Sequence, residues 1–145
     1  HRLWLTVAAA GWGKHLKRET FPFIDRIHVM AYDQGTPHAP FAGAVKDLRY
    51  WETQGAPKAK LLLGLPFYGR NAQNNARTYG ELMAQFKPTA DTDSAGGFHF
   101  NGAATIHRKT QHAVRGGYGG VMIWELGQDA PGKASLLDAV RASLP

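Results

Sequence analysis

There is no cysteine anywhere in this chain, so it forms no disulfide and carries no thiolate for nucleophilic or metal-binding chemistry. That absence suits a cytosolic and an exported protein equally. No apolar stretch approaches the ~20 residues that cross a bilayer as a helix, and no signal-peptide pattern stands at the N-terminus; a membrane partner is not expected. The chain lacks an initiator methionine and opens at His1, directly ahead of a strand-like run. It therefore reads as a processed, truncated or engineered polypeptide whose export signal could have been lost with the missing part. Acidic residues are few, 11 against 17 lysines and arginines, for a formal net charge of +6. The positive charges are scattered (Arg2, Lys14, Lys17, Arg18, Lys58, Lys60, Arg108, Lys109 and Arg115 among them) and no aromatics interleave with them. Such a distribution is a solvated basic surface, not a nucleic-acid-binding stripe. The seven histidines (His1, His15, His28, His38, His99, His107, His112) include no close pair at metal-ligand spacing, so they are placed on the surface and no metal or cofactor is expected.

What is present is an ordinary globular composition, 43% hydrophobic over 145 residues, enough for one domain or part of one. The most informative stretch is Gly119-Gly120-Val121-Met122-Ile123-Trp124-Glu125-Leu126-Gly127-Gln128-Asp129. Its short apolar run reads as a buried strand. Alternation puts Met122 and Trp124 on one face and Val121 and Ile123 on the other. Apolar residues on both faces imply a parallel strand covered on both sides. Polar residues cluster past its C-terminal end, where parallel α/β folds place their sites.

Three further strands precede it: Leu3 to Ala10, Arg26 to Tyr32 closed by Asp33, and Lys60 to Tyr68 ending in Gly69-Arg70. The small alanines ending the first strand leave room beside something bulky. Helical spacing predicts a short helix over Lys14 to Thr20, one over Ala44 to Gln54 with Val45, Leu48 and Trp51 on one side, and one capped by Thr105 and running to Arg115. A last amphipathic helix over Gly132 to Ser143 places Leu136, Leu137, Val140 and Leu144 together. A polar excursion runs from Asn71 to about Asn101, holding a short helix over Tyr79 to Gln85 and a short strand over Phe98 to Phe100; its length marks it as functional or inserted. Strand and helix alternate with no repeat in residue identity, which predicts α/β architecture with a parallel sheet and right-handed crossovers. Two closed solutions fit: a small doubly wound sheet, or half of an eight-stranded barrel, since a whole barrel takes ~250 residues.

Several stretches resemble glycoside hydrolase family 18, the chitinases. Val29-Met30-Ala31-Tyr32-Asp33 looks like that family's Met-x-Tyr-Asp strand, and Gly64-Leu65-Pro66-Phe67-Tyr68-Gly69-Arg70 resembles its next strand. Gly120 to Asp129 resembles its last strand, and Phe100-Asn101-Gly102 through Lys109 is similar to the segment leading there. The resemblance implies a TIM barrel and places this chain on strands five to eight, a parallel (β/α) half-barrel spanning residues 1–145 with the inserted polar region at about 71–101. The family's Asp-x-x-Asp-x-Asp-x-Glu motif, which carries the general acid on strand four, does not occur in the chain; Asp91-Thr92-Asp93 is the one Asp-x-Asp and has no glutamate in register.

Family members cleave β-1,4-linked N-acetylglucosamine polymers with retention, using the substrate's acetamido group as nucleophile and a glutamic acid as proton donor. The resemblance implies catalytic roles for Tyr32, on the acetamido oxygen, and Asp33, on a sugar hydroxyl. It implies substrate-binding roles for Trp124 as the floor of the cleavage subsite, for Tyr68 and Arg70 along the groove, and for Met30 and Met122 beneath it. From the residues alone, a strand-end tryptophan such as Trp124 is more often core than site, Asp33 could be a turn residue, and Arg70 could satisfy carbonyls or pair with an acid. Glu125 neighbours Trp124, faces the other way, and is not expected to replace the acid. A half-barrel has open edges, so partners are expected: an absent N-terminal half or a second copy, and an N-acetylglucosamine polymer or oligomer. The chain alone is expected to be inactive. A lectin-like binding fragment, a peptidoglycan or N-glycan hydrolase of the same family, and an unrelated small α/β domain are the alternatives. The family points to a secreted or periplasmic location.

Overall fold

Four short apolar runs become parallel strands because each is rich in branched or aliphatic side chains and is stopped by glycine, proline or a polar loop. The computed structural model describes residues 3–144. Between β1 (Thr6–Ala10) and β2 (Arg26–Met30) the expected helix over Lys14 to Thr20 is absent; a loop and a 3-10 segment, Arg18–Phe23, take its place. Pro22 lies inside that segment, where it has no amide to give an α-helical ladder. The helix after β2, α1 (Phe41–Thr53), starts three residues earlier than the spacing predicts, directly after Pro40. Ala44, Asp47, Leu48 and Trp51 form its buried face, and Val45 is only partly buried.

The third strand is shorter than expected. β3 (Leu61–Pro66) ends at Pro66, and Phe67 leaves the ladder: its amide donates to Trp124 O (2.9 Å) and its carbonyl accepts from the Tyr79 amide (2.9 Å). Tyr68 and Arg70 therefore stand not at the tip of a parallel strand but on β4 (Tyr68–Asn71), which begins a second, antiparallel sheet. β4 pairs with β5 (Ala76–Thr78); α2 (Tyr79–Phe86) follows, then β6 (Ser94–Ala95) and β7 (Phe98–His99), giving the order β5-β4-β7-β6. A capping box starts α2: Thr78 Oγ1 accepts from the Glu81 amide (3.1 Å) and the Glu81 carboxylate accepts from the Thr78 amide (2.9 Å), satisfying donors the first turn leaves open.

The cap of α3 (Ala103–Arg115) is Gly102, not Thr105. Asp93, in the bend just before β6, accepts from the Gly102 amide (2.8 Å) and the Thr105 hydroxyl (2.6 Å). β8 (Gly120–Trp124) comes next. The single last helix predicted over Gly132 to Ser143 is split into a 3-10 turn, Gly132–Ala134, and α4 (Leu136–Arg141), because Ser135 caps the second piece. Leu136 and Val140 are buried, whereas Leu137 and Leu144 are exposed; adjacent residues on a helix point about 100° apart, so Leu137 cannot share Leu136's face.

The main sheet has the order β1-β2-β3-β8, all pairs parallel. One face carries the core: Ile27, Val29, Leu61, Leu63 and Leu65 pack with Leu48, Trp51, Ile106 and Ala113 of α1 and α3. The other face holds a small cluster of Tyr32, Ala39 and Tyr68, with Met30 and Met122 against it. β8 is thus not covered on both sides as its sequence predicts. Val121 and Ile123 pack on the core, no residue of the strand is fully buried, and Trp124 is 54% exposed. It is an edge of the described sheet, like β1.

Candidate functional site

The C-terminal ends of the parallel strands and the first residues of β4 surround a hollow of about 600 Å³. It brings together all seven residues singled out from the sequence: Met30, Tyr32, Asp33, Tyr68, Arg70, Met122 and Trp124. Its lining adds five residues that the sequence did not single out for a site: Ala8, His28, Ala76, Ile123 and Gln128. Ala8 belongs to the alanine run of β1, and its small side chain leaves the space.

Asp33 is the polar centre. It sits just past β2 with φ of 60°, a left-handed conformation that aspartate tolerates better than most residues. Its Oδ1 accepts from the Tyr68 hydroxyl (2.8 Å) and from Arg70 Nε (2.5 Å), and its Oδ2 accepts from Arg70 Nη2 (3.1 Å). The two-pronged arginine grip fixes orientation as well as charge. Partial burial works to raise the Asp33 pKa, but the hydrogen bonds from Arg70 and Tyr68 outweigh it and hold the carboxyl below its ordinary value. Three of its roughly four acceptor positions are thereby used. Arg70 Nη1 also donates to Asn74 O (2.9 Å), tying the guanidinium to the β4–β5 turn.

Tyr32 and Tyr68 meet edge to face, their ring centroids 6.1 Å apart. Burial, with the Asp33 charge adding to it, pushes the Tyr32 hydroxyl up to about 12; Tyr68 is raised for the same reasons and by its bond to Asp33. Among the described residues no protein group takes the Tyr32 hydroxyl. The ring itself needs Gly64: a Cβ there would overlap the Val29 carbonyl oxygen and lie 2.9 Å from Tyr32 Cε1.

His38 corrects the placement of the histidines on the surface. It is 1% exposed, its ring centroid lies 5.0 Å from that of Tyr68, and its Nδ1 is 3.5 Å from Asp33 Oδ1. Burial holds it down to about 4, against the pull of Asp33, so it is neutral at neutral pH. Among the described residues neither ring nitrogen has a hydrogen-bond partner.

Two buried polar residues fasten the loop between Asp33 and α1. Lys109 is fully buried, and its Nζ donates to Ala39 O (2.8 Å) and Asn101 Oδ1 (2.6 Å). Asn101 Nδ2 donates to the same Ala39 carbonyl (2.9 Å). Burial lowers the Lys109 ammonium to about 7, opposed by Asp93 and Asp47. The sequence carried a signal for this lysine: Ile106, Lys109, Thr110 and Ala113 are the buried stripe of α3, and an ammonium on such a stripe must find buried partners. Among the described residues no group of three or more His, Asp or Glu side chains is arranged to hold a metal ion, and no helix is long and apolar enough to cross a membrane.

An α/β protein with a parallel sheet and an aromatic, carboxylate-centred hollow at its strand ends is the class these features define. The sequence model of the glycosyl hydrolases family 18 matches residues 1–129, and this chain belongs to that family. A chitinase from the chitin utilization locus of Flavobacterium johnsoniae superposes with a TM-score of 0.88 at 33% identity, covering 97% of this chain and 49% of its own. A chitinase from Bacteroides thetaiotaomicron gives 0.88 at 30% identity, covering 95% and 51%. A plant class V chitinase mutant from Cycas revoluta, solved in complex with (GlcNAc)3, shares the fold, with a TM-score of 0.80 at 20% identity and coverage of 99% and 56%. The chain spans about half the length of the chains it matches.

Proposed function

We propose that this chain is the C-terminal half of a family 18 catalytic barrel, its parallel strands standing as strands five to eight and residues 71–101 as an insertion, all in one partial domain. It supplies the substrate-gripping wall for β-1,4-linked N-acetylglucosamine polymers. The observation that carries this reading is the convergence of Tyr32, Asp33, Tyr68, Arg70 and Trp124 on one hollow.

In this mechanism a sugar ring lies with its C–H face on the half-exposed indole of Trp124. Tyr32, protonated at neutral pH with its hydroxyl free of protein partners among the described residues, donates to the acetamido carbonyl oxygen and orients it for attack on the anomeric carbon. Asp33, held ionised by Arg70 and Tyr68, accepts a sugar hydroxyl in its remaining position and offers negative charge to the oxazolinium-like intermediate. Protonation of the leaving oxygen requires a carboxylic acid, and Asp-x-x-Asp-x-Asp-x-Glu is absent from these residues. The chain alone therefore binds and does not cut.

The test is complementation. Mixed with an N-terminal half carrying the acidic motif, this chain is expected to hydrolyse a chromogenic N-acetylglucosamine oligosaccharide; repeated inactivity with both halves folded refutes the proposal. A second reading, an oligosaccharide-binding fragment without a catalytic partner, is favoured by the hollow being formed from this chain alone. It predicts quenching of tryptophan fluorescence by the same oligosaccharides, lost in Trp124→Ala, with no turnover in any mixture.

A further inference from the structure

Lys109 shares the buried stripe of α3 with Ile106, Thr110 and Ala113, and it is fully buried. Withdrawing an ammonium from water is costly, and replacing buried charged groups by apolar side chains of similar volume is often neutral or stabilising. Stability alone therefore does not account for a lysine at a place where a methionine would pack. What the lysine has is direction. Its Nζ donates to Ala39 O (2.8 Å), in the loop after β2, and to Asn101 Oδ1 (2.6 Å). Asn101 Nδ2 donates to the same Ala39 carbonyl (2.9 Å). One backbone oxygen is thus gripped by two buried donors that are bonded to each other. The acids that favour the charge on Lys109 come from two other elements: Asp93, just before β6, and Asp47 of α1.

The gripped residue borders the hollow. Ala39 packs with Tyr32 and Tyr68 in a cluster of their own, apart from the main core. The residue before it, His38, has its ring centroid 5.0 Å from that of Tyr68 and its Nδ1 3.5 Å from Asp33 Oδ1. The start of the loop is tied down separately. The Gln34 amide donates to His38 O (2.8 Å), and Gln34 Nε2 donates to Asp47 Oδ2 (2.5 Å). The loop is therefore pinned at both ends, and the pin at Ala39 is the one that bears on the two tyrosines. Side chains that meet a ligand keep their geometry only when the residues behind them are themselves fixed.

We propose that Lys109 is a positioning residue for the hollow: through the Ala39 carbonyl it holds Tyr32 and Tyr68 where an oligosaccharide meets them, while touching no sugar itself. The inference rests on the hollow binding N-acetylglucosamine oligomers, and the experiment separates the two. Affinity for the hexasaccharide of N-acetylglucosamine is read by tryptophan fluorescence below the unfolding transition, and Tm is read apart from it by circular dichroism. Lys109→Met is expected to stay folded and to bind about fivefold more weakly, the usual scale for a residue acting through its neighbours. Ala39→Gly keeps the carbonyl and both its donors and removes only the methyl packed on the rings; it is expected to show a similar loss. In Lys109→Cys the thiol is the only one in the chain, which has no cysteine of its own. Alkylated in denaturant with 2-bromoethylamine and refolded, it regains an ammonium at nearly the length of lysine; alkylated with iodoacetamide, it carries a neutral amide. Only the first form is expected to recover the native affinity. Native affinity in Lys109→Met or in Ala39→Gly, or equal affinity in the two alkylated forms, overturns the positioning role and spares the reading of the hollow. Where Lys109→Met does not fold, Ala39→Gly decides. No fluorescence response of the native chain to the hexasaccharide refutes the reading of the hollow, and the positioning role with it.

Discussion

Gly64→Ala is the sharpest single perturbation of the hollow. One methyl group is added at a position where it overlaps the Val29 carbonyl oxygen and sits 2.9 Å from Tyr32 Cε1 and 3.3 Å from the Ala31 amide nitrogen. The two backbone atoms belong to the neighbouring strand and its continuation, paired to β1 and β3, so they cannot retreat without loosening the sheet. The ring can retreat, but doing so disturbs its edge-to-face packing on Tyr68. Overpacking of this kind costs about 2 kcal/mol, which for a chain of this size lowers Tm by roughly 6–8 °C. The displaced ring also takes the Tyr32 hydroxyl out of place, so oligosaccharide affinity falls together with Tm. Thermal unfolding followed by circular dichroism reads the first effect, and a fluorescence titration below the transition reads the second. A variant with unchanged Tm and unchanged affinity would refute the claim that Gly64 exists to admit the Tyr32 ring.

Other perturbations reach the same site from different sides. Replacing Arg70 by Gln removes the paired donors from Asp33, so the carboxyl is expected to titrate at higher pH than in the native chain when followed by carbon NMR; an unmoved titration rejects the arginine as the group that holds it down. Lys109 binds its proton less tightly when folded (about 7) than its ordinary value of 10.5. Between those values the unfolded chain holds the extra proton, and stability rises with pH. Urea midpoints should therefore climb from pH 7 to 9.5 in the native chain more than in Lys109→Met, and equal slopes would refute the assignment. The His38 ring, lowered to about 4 from 6.5, contributes the same sign in acid: stability is lost as pH falls from about 6.5 toward 4. His38→Phe is expected to flatten that part of the urea profile; a profile as steep as the native one counts against a buried neutral imidazole.

Period two alone puts Met122 and Trp124 on one face; that they belong to a site, with Met30, Tyr32, Asp33, Tyr68 and Arg70, was legible through the resemblance of their stretches to family 18 strands. The departures have definite causes. Lys60 to Tyr68 is one unbroken apolar run, and the turn out of the sheet at Phe67 is made by backbone bonds to Trp124 and Tyr79, contacts distant in sequence. Thr105 looked like a cap, but Asp93 supplied the oxygens from the bend before β6. His38 lies between Pro37 and Pro40 with no periodicity to read; its burial depends on a loop tied down by Lys109 and Asn101, some sixty to seventy positions further on.

The two residues that clasp Asp33 both come from β4, and β4 is held by β5 and β7 rather than by any parallel strand. The hollow's electrostatic setting is consequently portable. Exchanging the antiparallel module between relatives would carry the carboxylate's tuning along with it, leaving the barrel-type scaffold untouched.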